Sequence, residues 1–198
     1  MSVAAIKYDA GVSRWEPNAR GRLEQAAMDL YVERGFEQTT VAEIASRAGL
    51  TERTFFRYFS DKREVLFWGA ASLQEILVNT ITDAPGGTSP IAAVAAAIEV
   101  AGTLFQEGRE RSRARQAVIE ANPELKEREL IKLAALAAAM AEALRGRGVK
   151  DPVASLAAEA GIAVLKISFD EWVAISGDDD LPRRMRAAFS ELRAVTAG

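Results

Sequence analysis

From Pro17 onward, apolar residues recur at three- and four-residue steps, and nowhere do they alternate in the two-residue rhythm of a half-buried strand. Leu23, Ala26, Ala27, Leu30 and Tyr31 trace one helical face, which Gly35 stops. Thr40 and Glu43 form a T-x-x-E box around Val41, Ile44 and Ala45, so a short second helix is predicted to start there and end at Gly49. Thr51 caps a third helix carrying Phe55, Phe56, Tyr58 and Phe59, and Ser60 or Asp61 opens a fourth, expected over roughly 61 to 82. Phe36, Phe55 and Phe59 are expected in the core, with Phe67 and Trp68 at a seam between two units.

The stretch Asp83-Ala-Pro-Gly-Gly-Thr-Ser-Pro90 gathers turn-forming residues and is the best internal boundary in the chain. Beyond it, Ser89-Pro90, Asn122-Pro123 and Asp151-Pro152 each pair a capping residue with a proline suited to a first helical turn. The segments between them are Ala- and Leu-rich with helical period, and glycines near 146–148 and 177 supply stops. The fold class read from this pattern is all-α, about nine helices, with a small N-terminal unit ahead of a larger bundle. Residues 1–16 carry no period and are expected to be a mobile arm, with Lys7 and Arg14 among its cations.

Composition then narrows the chemistry. The chain has neither cysteine nor histidine, which removes disulfides, thiolate and imidazole metal ligands, Cys nucleophiles and every His base. No paired carboxylates stand in an apolar setting and no glycine loop cradles a phosphate, so an enzyme is not expected and no cofactor is called for. No apolar run nears the roughly 18 to 20 residues of a membrane span, and the start lacks a signal-peptide pattern, so a cytoplasmic protein without membrane contact is expected. A net charge of -3 does not advertise nucleic acid, so any DNA contact must come from a local patch.

Such a patch exists. Between 47 and 63 the basic residues Arg47, Arg53, Arg57, Lys62 and Arg63 outnumber Glu52 and Asp61, a local balance of +3. In the same stretch Ala45 is small where two helices must cross, Gly49 supplies the positive φ of a tight interhelical turn, and Leu50 plugs the core beneath it. The helix that follows begins Thr51-Glu-Arg-Thr54, a polar first turn of the kind that meets base edges in the major groove. Arg53 and Thr54 are the leading base readers, and Thr39, Thr40, Arg57, Tyr58 and Lys62 are positioned to donate to phosphates. By spacing alone an ordinary helical hairpin remains open.

The run from Gly35 to Leu66, with Thr40-Val-Ala-Glu-Ile-Ala-Ser-Arg-Ala-Gly-Leu-Thr-Glu-Arg-Thr-Phe-Phe-Arg-Tyr58 at its centre, resembles the DNA-binding signature of the TetR family of repressors. The resemblance implies a homodimer on a near-palindromic double-stranded operator, with a C-terminal bundle that holds an inducer and the dimer interface. It implies a DNA-binding domain over 17–64 and a ligand-binding and dimerisation domain over 65–198. Carried over by position, Thr40 contacts phosphate, Thr51, Arg53 and Thr54 face the groove, and Phe56, Tyr58 and Lys62 pack on or bind the DNA backbone. Two positions depart from the family pattern, which often has glycine at Arg53 and tyrosine at Phe56; the first adds a guanine-reading side chain, the second drops a hydroxyl.

In the second half, the amphipathic segments 151–176 and 181–195 suit either packing within one chain or a four-helix interface between protomers, and the resemblance decides for the latter, with Leu165, Ile175, Met185, Phe189 and Leu192 as interface residues. A ligand cavity would draw its lining from Leu77, Ile81, Ile98, Phe105, Leu133, Met140, Ile162, Phe169 and Trp172, a set suited to a hydrophobic ligand. Lys166 shares their stripe and either meets an anionic ligand group or pairs with Asp170 at i+4. The basic run Arg109 to Arg115 with Asn122 to Arg128 resembles a branch of the family associated with acyl-CoA-like ligands, a solvated charged face being the plainer reading. The competing function is a helical enzyme or small-molecule carrier that does not bind DNA; a third reading keeps DNA binding but makes the protein an activator or a ligand-free repressor.

Overall fold

A computed structural model describes residues 18–175 and 179–197; the expected arm, residues 1–16, lies outside them. Among the described residues the chain forms nine α-helices and no strand: α1 (Ala19–Arg34), α2 (Val41–Arg47), α3 (Glu52–Tyr58), α4 (Ala70–Thr82), α5 (Pro90–Gln106), α6 (Arg109–Glu120), α7 (Pro123–Gly146), α8 (Val153–Ala174) and α9 (Leu181–Ala197). Local signals account for most boundaries. Asn18 caps α1 through its side-chain oxygen, Thr40 and Glu43 close a reciprocal capping box on α2, and Thr51 accepts from the Thr54 amide on α3. Each such cap contributes about 1 kcal/mol.

The apolar faces sort into two cores. The first joins Leu23, Ala27, Leu30 and Tyr31 of α1 to Phe36, Ile44, Phe55 and Phe59, the three phenylalanines being buried as their spacing predicts. The second gathers α4, α5, α7, α8 and α9 around Leu77, Ile98, Met140, Trp172 and Met185. Gly161 sets the approach of α8 to α5: a Cβ there would lie 2.3 Å from a Val94 methyl, so the small-residue stripe brings these helices together at this point.

Three expectations need correction. The fourth helix starts at Ala70, not near 61; between them lie a turn and one 3-10 turn, Glu64–Leu66. The cause is that Val65, Leu66 and Phe67 are all buried in the first core, and an α-helix, turning about 100° per residue, cannot aim three consecutive side chains at one core. Secondly, Asp83 to Pro90 is a turn between α4 and α5, both of which pack in the same core, so it does not separate packing units. Thirdly, the first core is completed from the second half of the chain, by Val118 and Ile119 of α6 and Leu125 of α7. The two cores therefore meet at the α6–α7 corner.

Candidate nucleic-acid interface

The α2–α3 hairpin depends on Gly49, whose φ of 67° is left-handed and whose missing Cβ would sit 2.9 Å from the Arg22 guanidinium. Arg22 donates to the Ala48 carbonyl at the end of α2, tying the hairpin to α1, and Leu50 N–H donates to the Ala45 carbonyl at 2.8 Å. Phe55 is fully buried against Phe59 and holds α3 on its inner side. The outer side is thereby fixed. Thr51, Arg53, Phe56 and Arg57 are exposed, and Thr54 and Tyr58 are half-buried, so none of these six expected DNA contacts is packed into the core. Thr51 and Thr54 hydroxyls are 3.1 Å apart across the first turn, and the exposed Arg53 between them makes no hydrogen bond or ion pair among the described residues.

At the other end of α3, cations and rings interleave. The Arg57 guanidinium lies 4.9 Å over Tyr58 and donates to its hydroxyl at 3.1 Å; Arg20, in the first turn of α1, lies 5.7 Å from Tyr58 and 5.2 Å from Trp68. Sequence reasoning missed Arg20. Its only local signal was a basic residue just behind the Asn18 cap, where a helix N-terminus already favours anions. A guanidinium stacked on a ring, as Arg20 is on Trp68, bonds through its in-plane N–H donors and not through its face.

Thr40 is exposed at the α2 N-terminus, where the Glu43 carboxylate accepts from its amide and hydroxyl at 2.9 Å each; these bonds hold the Glu43 carboxyl below its usual range. Three expected DNA contacts are corrected. The Thr39 side chain is buried and its hydroxyl donates to the Gly35 carbonyl at 2.9 Å. Lys62 directs its ammonium inward, to the carbonyls of Phe36 at 2.8 Å, Thr39 at 3.0 Å and Glu37 at 3.3 Å, and over the Phe36 ring. It stitches the α1–α2 turn and has no donor to spare for DNA. Arg47 forms a bidentate pair with Glu33 of α1 at 2.9 and 2.8 Å, so its guanidinium is engaged within the head.

Behind the hairpin, charged groups bolt the two cores together. Glu64 accepts from Arg128 Nε at 2.8 Å and from Lys132 at 3.1 Å, both on α7. Arg115 of α6 donates to the Leu66 carbonyl at 2.7 Å and to Glu129 at 3.1 Å, and packs over the Phe67 ring. Burial pulls the Arg115 guanidinium below its usual range, and Glu129 opposes that. Glu24 of α1, also at this seam, has its carboxyl raised to about 7 by burial, against the attraction of Arg20 and Arg111 and a hydrogen bond from Trp68.

The residues called for the ligand lining converge in the second core: Leu77, Ile81, Ile98, Met140, Ile162 and Trp172 are buried, and Phe105, Leu133 and Phe169 pack against them half-buried. Lys166 stands apart, exposed and paired with Asp170 at 2.7 Å. The interface set is corrected in part. Leu165, Met185 and Phe189 are buried within their own chain, and Leu192 packs on the same core, so their apolar faces are already occupied. Ile175 is exposed, and the open face of α8 is the stripe Val153, Leu156, Ala163 and Ile167. No single helix among the described residues is long and apolar enough to cross a membrane, and none of their acidic side chains group as a metal site.

Compared with known proteins, residues 24–67 match the family model described as bacterial regulatory proteins, tetR family, and residues 88–197 match that of the MftR C-terminal domain. The chain is 33% identical over 78 residues to the HTH-type transcriptional regulator TcmR of Streptomyces glaucescens, covering 39% of this chain and 34% of that protein. It thus spans well under half the length of the curated relatives it matches. Among solved structures, the SmeT–triclosan complex is 22% identical with a TM-score of 0.65, covering 89% of this chain and 90% of that one; SmeT is the repressor of a Stenotrophomonas maltophilia multidrug efflux pump. FadR from Bacillus subtilis in complex with stearoyl-CoA is 20% identical with a TM-score of 0.59, covering 86% of this chain and 95% of that one. At these identities the likeness is one of fold.

Proposed function

This chain belongs to the TetR family of bacterial transcriptional regulators, and we propose that it is a ligand-responsive repressor that binds a near-palindromic operator as a homodimer and is released by a small hydrophobic or acyl-type ligand. The observation that carries the proposal is the outer surface of α3, where Thr51, Arg53 and Thr54 face solvent on a helix that Phe55 and Gly49 hold rigidly. In the major groove, Arg53 reads guanine and the threonines of α3 read neighbouring edges, while Arg20, Arg57 and Tyr58 take phosphates and Thr40, its amide and hydroxyl both given to Glu43, serves as the α2 cap. Residues 17–64 act as the DNA-binding domain, and 65–198 bind ligand and dimerise. The stripe Val153, Leu156, Ala163 and Ile167 on α8 supports a two-fold helical interface, since its steps keep one apolar face open along the helix. The protein acts in the cytoplasm without a cofactor.

Two heads on one operator must meet successive major grooves about 34 Å apart. A ligand that prefers a bundle conformation with another spacing shifts the population off DNA, and a coupling of about 1 to 3 kcal/mol changes operator affinity roughly 5- to 150-fold. Because α4 is separated from the head by the turn at 67–69, the signal passes chiefly through the α6–α7 corner, where Arg115 and Glu64 bind head to bundle. Footprinting of the purified protein on DNA upstream of its own gene tests the proposal: it predicts a protected inverted repeat whose protection weakens steeply with salt, and a uniform, unprotected ladder would overturn it.

A further inference from the structure

Helix α1, the turn at 67–69 and α6 meet at Glu24. Glu24 stands one turn after Arg20 on α1, and helical side chains lean toward the N-terminus, so its carboxylate is aimed back at the Arg20 guanidinium. From the turn, the Trp68 indole N–H donates to that carboxylate; from α6, Arg111 attracts it. Helix α3 contributes Tyr58, whose ring lies 5.7 Å from the Arg20 guanidinium, and the Trp68 ring lies 5.2 Å from the same group. Trp68 therefore bonds Glu24 through its edge and carries Arg20 on its face. Arg111 is shared with other acids, since it lines a groove together with Asp29 and Glu33 of α1.

The carboxyl of Glu24 is incompletely satisfied. Its Oε1 atom is buried and has no hydrogen-bond partner among the described residues. A buried oxygen without a donor disfavours the charged form, and the carboxyl is accordingly raised to about 7. Once the proton leaves, that oxygen gains most from a cationic donor, and Arg20 exerts the larger of the two attractions on it. Arg20 is exposed, one helical turn away, and free to approach by a change of side-chain rotamer. The chain has no histidine, the side chain that ordinarily titrates near neutrality, so a carboxyl displaced into that range stands out.

We propose that Glu24 is a positioning residue for the phosphate contact of Arg20: as a carboxylate it draws the guanidinium back onto α1, and as a neutral acid it releases it to the DNA backbone. The inference rests on the DNA-binding reading above and adds what governs one of its contacts. A phosphate held by Arg20 disfavours a second negative charge beside it, so DNA binding and protonation of Glu24 favour each other. Each head takes up a proton from solvent as it binds. Operator affinity is therefore greatest below about 7 and declines as pH rises through that value.

The test is fluorescence anisotropy of the full chain on a labelled duplex carrying the DNA upstream of its own gene, at fixed salt between about pH 5.5 and 8.5. Wild type, Glu24→Gln and Arg20→Ala are compared, with circular dichroism at each pH to show that the fold is intact. The wild type is expected to bind roughly tenfold more weakly at the upper limit, as a coupling near one pK unit gives. Glu24→Gln, an isostere of the neutral acid, is expected to keep the low-pH affinity throughout. Arg20→Ala is expected to bind weakly and without a pH slope although Glu24 still titrates, a result that a purely structural role for Glu24 would not produce. A flat wild-type profile overturns the proposal, as does the wild-type slope persisting in Glu24→Gln. The same slope persisting in Arg20→Ala also overturns it, by routing the effect through Arg111. Failure of the wild type to bind the duplex at any pH overturns the DNA-binding reading itself.

Discussion

The guanidinium of Arg115 donates to the backbone carbonyl of Leu66 at 2.7 Å, so a helix of the bundle holds the last turn of the DNA-reading head by a main-chain oxygen. A side-chain change at Leu66 would leave that bond intact, whereas a shift of α6 must either carry the head along or break it. With Glu129 completing the arginine's bonding, the contact is a positional one. Arg115→Met should lower the unfolding free energy by about 2 kcal/mol, the range for a lost hydrogen bond to a charged group. More tellingly, it should reduce the change in operator affinity that a bound ligand produces. Urea unfolding and ligand-dependent DNA titrations read the two effects separately; unchanged coupling would show that the signal bypasses α6.

Arg53 and Arg20 should fail in different ways. Arg53→Ala should relax base preference at one position in each half-site, at a discrimination cost of about 1–3 kcal/mol. Arg20→Ala should weaken all sequences alike and reduce the salt slope by about one per head. Fluorescence anisotropy with matched and singly mismatched duplexes at several salt concentrations separates the two.

Lys62→Met should damage the protein before it damages recognition. Removing the ammonium leaves the Phe36 and Thr39 carbonyls short of a donor in the α1–α2 turn, with a loss of about 1.5–3 kcal/mol in the head. A drop in thermal stability without DNA is the expected readout. A variant of normal stability that has lost only DNA affinity would restore Lys62 to the phosphate contacts.

Glu24 predicts a pH effect with a definite sign. Its carboxyl is raised in the folded protein from 4.5 to about 7, chiefly by burial, so between these values the folded state holds a proton that the unfolded state has released. Stability from this group is complete below about 4.5 and is lost as pH rises through about 7. Asp61 works in the opposite sense, its carboxyl held below 3.8 by Arg63, and so acts only in more acidic solution. The melting temperature should fall between pH 5 and 7.5 by an amount that Glu24→Gln abolishes; an identical slope in that variant would assign the effect elsewhere.

What was legible in the sequence was local. The caps at Thr40 and Thr51, the turn at Gly49 and the helix starts at Pro90 and Pro123 rest on bonds between residues a few positions apart, and they fall where spacing predicts. Lys62 was misread because its acceptors lie more than twenty residues back along the chain. Helix four was extended too far because periodicity alone does not show that Val65, Leu66 and Phe67 are all claimed by the head. For Leu165, Met185 and Phe189 the amphipathic pattern is the same whether the apolar face meets its own chain or a second copy; only the packing distinguishes them, and it assigns them to their own chain. Nothing in the sequence marks Arg115 and Glu64 as seam residues: Arg115 stands in a basic run that reads equally as a solvated face, and Glu64 is one charge among several.

The most direct test of DNA reading by α3 is selection of random-sequence duplexes by the purified protein, beside an Arg53→Ala, Tyr58→Ala double variant shown to be folded. The account predicts enrichment of an inverted repeat whose half-site centres lie about one helical turn or a multiple of it apart, lost or blurred in the variant. Enrichment of no sequence by the wild type, or the same repeat enriched equally well by the variant, would contradict it.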